Sequence, residues 1–265
     1  MKIAIMVDGA FFLKRARGFW GHQSPEAMAS ILYKYCQSHV RHSKVECSDV
    51  ELYRIFFYDC PPPNIDIHHP VTKEFIHFGK SAQAVWRSQF HTELKRLRKV
   101  ALRLGHVDEE NHSWIISGSA TKDICSGKRT KDELEEKDVR LDIRQKGVDM
   151  RIGLDIASVT FKKQADQIIL VSGDSDFVPA AKLARREGID FVLDSMKQKI
   201  KADLFEHIDG LYTEVNDDGS MKHPLPMEEK NKIRAFQNSN RNRKRTANTV
   251  SNEKKAVPDK PSRLH

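Results

Sequence analysis

The chain has 265 residues, of which 39% are hydrophobic and 31% charged, and its formal net charge is +8. This is enough apolar material for one sizeable core, or for one core and a tail. The longest apolar runs are strand-sized, far below the roughly 20 residues that span a bilayer. The N-terminal residues lack the basic region, long apolar stretch and cleavage site of a secretory signal. We therefore expect a cytoplasmic protein without a membrane-spanning helix, whose four cysteines are free thiols because no CxxC pair occurs.

Short apolar runs alternate with helix-length segments along the chain, a pattern typical of a parallel sheet covered on both faces. The predicted strands are residues 2–7, 52–58, 167–171 and 190–193, with weaker candidates at 114–116, 139–143 and 211–212. The predicted helices are residues 25–39, 81–104, 149–163 and 176–187, the last ending at Gly188. We expect an α/β fold with three layers and a central, mainly parallel sheet.

The composition changes near Val215, where the hydrophobic density drops. Residues 216–265 contain 12 Lys and Arg against 6 Asp and Glu, and therefore carry +6 of the net charge of +8. Such a segment cannot bury enough apolar surface to offset its chain entropy. We predict one domain over residues 1–215 and a basic, disordered tail over 216–265, with residues 117–138 as an exposed excursion within the domain.

Four aspartates are expected to meet at one edge of the sheet. Asp8 follows the first strand, Asp174 and Asp176 follow the strand that ends at Val171, and Asp149 precedes a helix. Because parallel strands end at the same edge, residues just past them gather there. Clustered carboxylates repel one another unless a cation compensates them, and oxygen ligands suit Mg²⁺ or Mn²⁺. An alternative is that Asp149 and Asp176 are only helix N-caps and that Asp8 only forms a turn.

Small residues accompany these aspartates. Gly9 and Gly173 would let the backbone turn sharply or approach a ligand. Ser172 and Ser175 would support a metal-bound water or a substrate phosphate, or serve as turn residues. Asp155 is expected outside the site, because it lies about 240° around the helix from Asp149.

Three motifs resemble the NYN domain, in its LabA-like branch within the PIN-like nuclease group. They are Met6-Val7-Asp8-Gly9-Ala10, Lys146-Gly147-Val148-Asp149, and Val171-Ser172-Gly173-Asp174-Ser175-Asp176-Phe177-Val178-Pro179. The likeness runs in order from about residue 2 to about residue 213 and includes Tyr58-Asp59-Cys60.

The resemblance implies a compact α/β fold whose acidic residues bind one or two Mg²⁺ or Mn²⁺ ions and hydrolyse RNA phosphodiester bonds. The metal-binding and catalytic aspartates of the family correspond to Asp8, Asp149, Asp174 and Asp176. Many members carry Asn in a DGxN pattern, whereas this chain continues with Ala10-Phe11-Phe12. In the implied reaction, metal-assisted water attack replaces a protein nucleophile.

RNA would need a basic surface beside this acidic centre. The predicted helix over 81–104 offers Arg87, Lys95, Arg96, Arg98, Lys99 and Arg103, and the tail offers Arg241, Arg243, Lys244 and Arg245. An alternative is that the helical charges only form a solvated face. The oligomeric state stays open, a homo-oligomer included.

Two other functions remain open. A phosphomonoesterase or phosphotransferase that uses Asp8 as its nucleophile would need a second Asp two residues later, where this chain has Ala10. A regulatory protein that binds RNA or a partner without turnover would be compatible with the missing Asn. His68, His69, His77 and His91 show no link to the acidic edge in the sequence, and we expect them at the surface.

Overall fold

The computed structural model describes residues 1–224 and residue 226, and it shows a parallel sheet covered by helices on both faces. The strands are β1 (Lys2–Asp8), β2 (Glu51–Asp59), β3 (Asp66–His68), β4 (Phe75–His77), β5 (Val100–Leu104), β6 (His106–Ile116), β7 (Val139–Lys146), β8 (Gln167–Val171), β9 (Asp190–Asp194) and β10 (Gly210–Leu211). The helices are α1 (Gly9–Trp20), α2 (Pro25–Glu46), α3 (Ala82–Leu94), α4 (Gly118–Cys125), α5 (Val148–Phe161), α6 (Val178–Arg186) and α7 (Ala202–Glu206).

The central sheet has six strands in the order β10-β9-β8-β1-β2-β5, and every neighbouring pair is parallel. Two antiparallel hairpins, β3–β4 and β6–β7, lie outside it. The predicted fold class, an α/β fold with a central parallel sheet, is confirmed.

Two apolar cores lie on the two faces of this sheet. Alternate residues of β1 point to opposite faces, so that Ile3 and Ile5 pack with α1 to α3 while Ala4 and Met6 pack with α5 to α7. All five residues of β8 are buried. The continuous apolar runs in the sequence thus reflect strands that are covered on both sides.

The helix predicted over residues 81–104 is wrong in its second half. Helix α3 ends at Leu94, Lys99 adopts a left-handed φ of 61°, and Val100–Leu104 forms the edge strand β5 beside β2. The basic residues between the two elements hide the strand signal, because the apolar residues before and after them fit one helical period.

Helix α1 was not anticipated. It contains two glycines and four aromatic residues, which lowers its intrinsic helix propensity. Its helical signal is the buried set Phe12, Leu13 and Ala16, preceded by the N-cap Asp8. Tertiary packing on the sheet therefore outweighs propensity here.

Residues 216–223, which composition assigned to the tail, pack against the domain. Val215 and Met221 form an antiparallel bridge, and the indole Nε1 of Trp20 donates to the carbonyl of Gly219 over 2.7 Å. The predicted disorder of the remaining tail falls largely on residues 227–265, which lie outside the described residues together with Arg241, Arg243, Lys244 and Arg245.

Two further expectations concern cysteines and membranes. Cys36, Cys47, Cys60 and Cys125 are all free thiols, as predicted. Among the helices of the described residues, none combines the length and the hydropathy needed to cross a bilayer.

Candidate metal centre

Asp8 ends β1 at the carboxyl edge of the sheet and begins α1. Its Oδ1 accepts a hydrogen bond from the backbone N–H of Phe11 at 3.1 Å, which makes it the N-cap, and the hydroxyl of Ser172 donates to its Oδ2 at 3.4 Å. The following Gly9 cannot carry a side chain, because an added Cβ would overlap the Tyr58 carbonyl and lie 2.7 Å from a ring carbon of Phe57. This close approach fixes the direction in which α1 leaves the strand.

The segment after β8 carries the next two aspartates. The hydroxyl of Ser172 accepts from the N–H of Asp174 at 3.3 Å, and Asp174 Oδ1 accepts from the N–H of Asp176 at 3.1 Å. A short 3₁₀ turn, Ser175–Phe177, then leads into α6. At Gly173 an added Cβ would lie 2.9 Å from Nε2 of Gln198 and 3.0 Å from the ring of Phe11, so these side chains would have to move to admit a larger residue.

Asp149 reaches the same edge by a route that the sequence did not predict. The strand before it, β7, pairs with β6 in an antiparallel hairpin and lies outside the central sheet. Gly147, with a left-handed φ of 79°, turns the chain into α5, and Asp149 lies in the first helical turn. The N-cap positions belong to Gly147 and Asp174, so the cap interpretation does not describe Asp149 or Asp176.

Electrostatic coupling links the four carboxylates. Burial, together with the charge of Asp149, raises the pKa of Asp8 above its usual value. Burial also raises the pKa of Asp149, and the charges of Asp174 and Asp176 add to this effect. The four predicted side chains are therefore brought close enough to repel one another.

No basic side chain compensates this cluster in the described part of the chain. The ion pairs there, at up to 4.0 Å, involve other carboxylates, including Asp59, Asp108, Asp138 and Asp155. Asp8 is partly buried, whereas Asp149, Asp174 and Asp176 are exposed. Solvent can therefore reach three of the four carboxylates.

The donor set fits a hard divalent cation. All four side chains offer carboxylate oxygens, which Mg²⁺ and Mn²⁺ prefer. Between Asp174 and Asp176, the Ser175 hydroxyl oxygen is buried and has no hydrogen-bond partner among the described residues. Within the same residues, no three of these aspartates have ligand oxygens that all lie within 4.8 Å of one another, so a shared ion would draw the exposed carboxylates inward.

Two more strand-end aspartates lie at this edge but are compensated. Asp59, at the end of β2, is 1% exposed; Arg87 donates to both of its oxygens at 2.9 Å and His91 lies 2.7 Å away. Asp194, at the end of β9, is fully buried and contacts Tyr35 and His39. The sequence did not single out these networks, because their partners come from distant helices.

The histidine expectations are met only in part. His68 and His77 are exposed as predicted. His69 and His91 are buried, at 4% and 5% exposure, so a surface position was wrong for them. The buried imidazole of His91 is hydrogen-bonded to the carboxylate of Asp59.

The predicted basic helix does not exist as one surface. Arg87 lies in α3 and is held by Asp59, while Lys95, Arg96, Arg98 and Lys99 lie between α3 and β5. Since β5 starts at Val100 and runs parallel to β2, these four residues lie at the sheet edge opposite to Asp8. Arg96 pairs with Glu93 and Lys99 pairs with Glu51, whereas Lys95 and Arg98 are exposed.

Asp155 forms hydrogen bonds outside the aspartate cluster. Its Oδ2 accepts from the hydroxyl of Tyr58 at 3.0 Å and from Nε of Arg103 at 3.1 Å. These contacts leave the side chain paired with a cation of its own, unlike the four clustered aspartates.

A different basic surface lies at the carboxyl edge of the sheet, on the hairpin β6–β7 and the start of α5. The hairpin β6–β7 starts two residues after β5 ends and finishes three residues before Asp149. Arg140 and Arg144 lie on one face of β7, and Arg151 lies in the first turns of α5. All three are exposed and make no ion pair with another described residue.

Comparison with known proteins gives a similar structure and a family match. The chain is similar, at 17% sequence identity and a TM-score of 0.42, to a crystal structure of a protein of unknown function from Vibrio parahaemolyticus RIMD 2210633; the match covers 82% of this chain and 94% of that one. No curated protein matches the chain. Residues 88–211, which include Asp149, Asp174 and Asp176, match the NYN domain, a family of generally PIN-like nucleases.

Proposed function

We propose that the protein is a metal-dependent ribonuclease of the LabA-like NYN branch, located in the cytoplasm, which hydrolyses RNA phosphodiester bonds at Asp8, Asp149, Asp174 and Asp176. The observation that carries this proposal is the meeting of four mutually repelling, uncompensated carboxylates from three separate chain segments at one edge of the sheet. The NYN match over residues 88–211 supports a nuclease-type enzyme. The dependence on a metal ion and the choice of RNA as the substrate go beyond this family match and are part of our proposal.

The four carboxylates would hold one or two Mg²⁺ or Mn²⁺ ions. A bound ion would lower the pKa of a water molecule and offset the charge that develops during in-line displacement at phosphorus. Asp8 is fixed by its hydrogen bonds to Phe11 and Ser172 and would act as the rigid ligand. The unpaired hydroxyl of Ser175 would donate to a phosphate oxygen or a water molecule at the same place.

We propose that the RNA lies along the hairpin β6–β7. Arg140, Arg144 and Arg151 are exposed and unpaired among the described residues, and the last two lie within five positions of Asp149. Their positive charges would hold the phosphate backbone against the acidic centre. The segment 95–99 precedes β5 at the opposite sheet edge and is less suited to this role.

A regulatory protein that binds RNA without cleaving it is the second candidate. One observation favours it: Phe11 stands where the DGxN pattern has Asn, and its ring packs close to Gly173. The position is therefore apolar and filled, and it offers no amide for a water molecule or a phosphate.

The test is incubation of the purified chain with end-labelled single-stranded and hairpin RNAs in Mn²⁺, Mg²⁺ or EDTA. We expect cleavage with either ion and none in EDTA, and a loss of at least about 100-fold in Asp174→Asn. Asp49→Asn is the matched control, because Asp49 is an exposed aspartate just before β2, at the sheet edge opposite to Asp8. A small aryl phosphate run in parallel separates a phosphomonoesterase from a nuclease.

Each outcome decides between the candidates. RNA that shifts in a gel in EDTA but is never cleaved with either metal would favour the regulatory protein. Cleavage that survives in Asp174→Asn would exclude the proposed centre. Hydrolysis of the aryl phosphate without RNA cleavage would overturn the substrate class.

A further inference from the structure

A second group of metal-type side chains lies between α2 and the chain that follows β10. His42 belongs to α2, Glu214 follows β10, and His223 lies in the segment that packs back onto the domain. Nδ1 of His42 lies 2.8 Å from Oε1 of Glu214, and Nδ1 of His223 lies 2.7 Å from Oε2. One ligand atom from each residue can be chosen so that all three lie within 4.8 Å of one another, and no other such group occurs in the described residues.

The carboxylate at the centre of this group is fully buried. Glu214 is 0% exposed, and the hydroxyl of Ser38 also donates to its Oε2 at 2.7 Å. Burial would raise the pKa of Glu214, but the hydrogen bonds from His223 and Ser38, the charge of His39 and the bond from His42 lower it overall. A buried carboxylate that stays ionised needs a cationic partner.

The two imidazoles are held in place but remain accessible. The His42 ring stacks on Tyr212 at 4.3 Å between centroids with an interplanar angle of 10°, and it meets the His223 ring edge-on at 5.0 Å. The side chains of His42 and His223 are 27% and 33% exposed. Both rings are therefore partly exposed to solvent beside the buried carboxylate.

We propose that His42, Glu214 and His223 bind one Zn²⁺ ion, which fastens residues 215–223 to α2. Two imidazole nitrogens and one carboxylate form a known zinc donor set, and a water molecule would complete the tetrahedron. Ligand atoms around such an ion lie about 3.3 Å apart, given metal–ligand distances of about 2.0–2.2 Å. The two N···O distances of 2.8 and 2.7 Å would therefore lengthen by roughly half an ångström as the ion replaces two ring protons.

The donor chemistry separates this site from the aspartate centre. Nitrogen ligands favour Zn²⁺ over Mg²⁺, whereas a set of carboxylate oxygens suits the hard cations. The two sites should therefore bind different ions in the same solution. The zinc site does not depend on whether the aspartates cleave RNA.

The experiment measures zinc binding by the tag-free full chain that carries Asp8→Asn and Asp174→Asn, which weakens the other centre. Competition with a chromogenic chelator gives stoichiometry and affinity, and Co²⁺ reports the ligand geometry through its visible absorption. We expect one equivalent of Zn²⁺, a rise in melting temperature with Zn²⁺, and no effect of Mg²⁺ on either. His223→Gln and His42→Gln should each weaken binding by more than about 100-fold, because loss of a ligand costs more than the 10–100-fold effect of outer-shell residues.

His68→Gln is the matched control, since His68 is exposed on β3 and lies outside the group. Melting curves in EDTA show that each variant is folded before it is titrated. Absence of binding, or equal binding in His42→Gln, His223→Gln and His68→Gln, would overturn the proposal. So would an octahedral, weakly absorbing Co²⁺ spectrum that both histidine variants share.

Discussion

At the scale of single residues, the neighbours of each aspartate decide what it can do. Asp8, Asp59 and Asp194 end three adjacent or nearly adjacent strands at one edge of the sheet. Asp59 and Asp194 are buried and face Arg87 or histidine and tyrosine partners. Asp8 faces Asp149, another carboxylate. Strand-end aspartates therefore have hydrogen-bonding partners at Asp59 and Asp194, whereas Asp8 is repelled by a neighbouring carboxylate.

Asp8→Asn should stabilise the metal-free protein at neutral pH. The pKa of Asp8 is raised in the folded chain, so Asp8 ionises at a lower pH in the unfolded chain than in the folded chain. Stability is therefore lost as the pH rises from the usual pKa of Asp to the folded pKa, and the loss is complete above the folded pKa. Asn removes this penalty and caps α1 about as well as Asp. The melting temperature should exceed that of the wild type at pH 7 and match it below the usual pKa of Asp, where both side chains are neutral.

Mn²⁺ should reverse the order of stability. An ion that binds only the folded state raises the melting temperature of the wild type, and Asp8→Asn should respond much less, with RNA cleavage reduced by about 100-fold or more. Asp49→Asn should behave as the wild type in both measurements. A variant that melts lower than the wild type without metal at pH 7 would show that Asp8 is a structural partner and not a source of repulsion.

The sequence predicts these site residues because strand ends need only local information. Asp174 and Asp176 come shortly after four apolar residues, Ile168–Val171, and the parallel direction of the sheet predicts the edge at which they lie. The pairing of Asp59 with His91 depends on where a helix 32 residues away packs. His42, Glu214 and His223 meet for the same reason, across 172 and 9 positions of sequence. Such long-range contacts leave no periodic signal in the chain.

At the scale of elements, apolar periodicity identifies a helix but does not always identify its buried face. In α5, Ile152, Ile156 and Val159 are buried, while Met150, Leu154 and Phe161 are 71%, 63% and 61% exposed. Both sets repeat at helical spacing, so the sequence pattern alone would place apolar residues in the core on much of the helix circumference. Packing on the sheet covers one set only, so the second face is exposed.

The junction between β1 and α1 offers a test of how the site is positioned. Gly9→Ala should destabilise the protein by about 1–3 kcal/mol, because the new Cβ would overlap the backbone of β2, which cannot move without disturbing the sheet. Gly18→Ala, in the same helix, meets nothing within 4 Å and should stabilise by about 0.5–1 kcal/mol. Urea unfolding of the two variants measures both values, and equal effects would contradict the close approach.

The hairpin β6–β7 should carry the phosphate contacts. Arg144→Gln and Arg151→Gln should each weaken RNA binding in EDTA and reduce the slope of log affinity against log salt by about 0.7–0.9. The controls are Lys95→Gln and Arg98→Gln, exposed residues at the opposite sheet edge, which should leave the slope unchanged. A larger loss in the controls would place the RNA at the other end of the sheet.

At the scale of the whole molecule, the chain after β10 closes the face formed by α1 and α2. The carbonyl of Gly219 accepts from Trp20 in α1, and His223 approaches both Ser38 of α2 and the buried Glu214. Composition marks 216–265 as one basic tail, because its polar residues outnumber the few that make these contacts. The packed region therefore extends past Val215, as far as His223.

Truncation at two points should separate the packed segment from the rest of the tail. A chain that ends at Pro226 should melt within a degree or so of the full chain, because it keeps every contact described above. A chain that ends at Val215 should be destabilised by about 1–3 kcal/mol, since it loses the hydrogen bond between Trp20 and Gly219 and leaves the buried Glu214 with one partner fewer.

Removal of residues 227–265 should still flatten the salt dependence of RNA binding, because Arg241, Arg243, Lys244 and Arg245 are then absent. Equal melting temperatures for the two truncated chains would show that residues 216–223 add nothing to the domain, and an unchanged salt slope would show that the basic tail does not touch RNA.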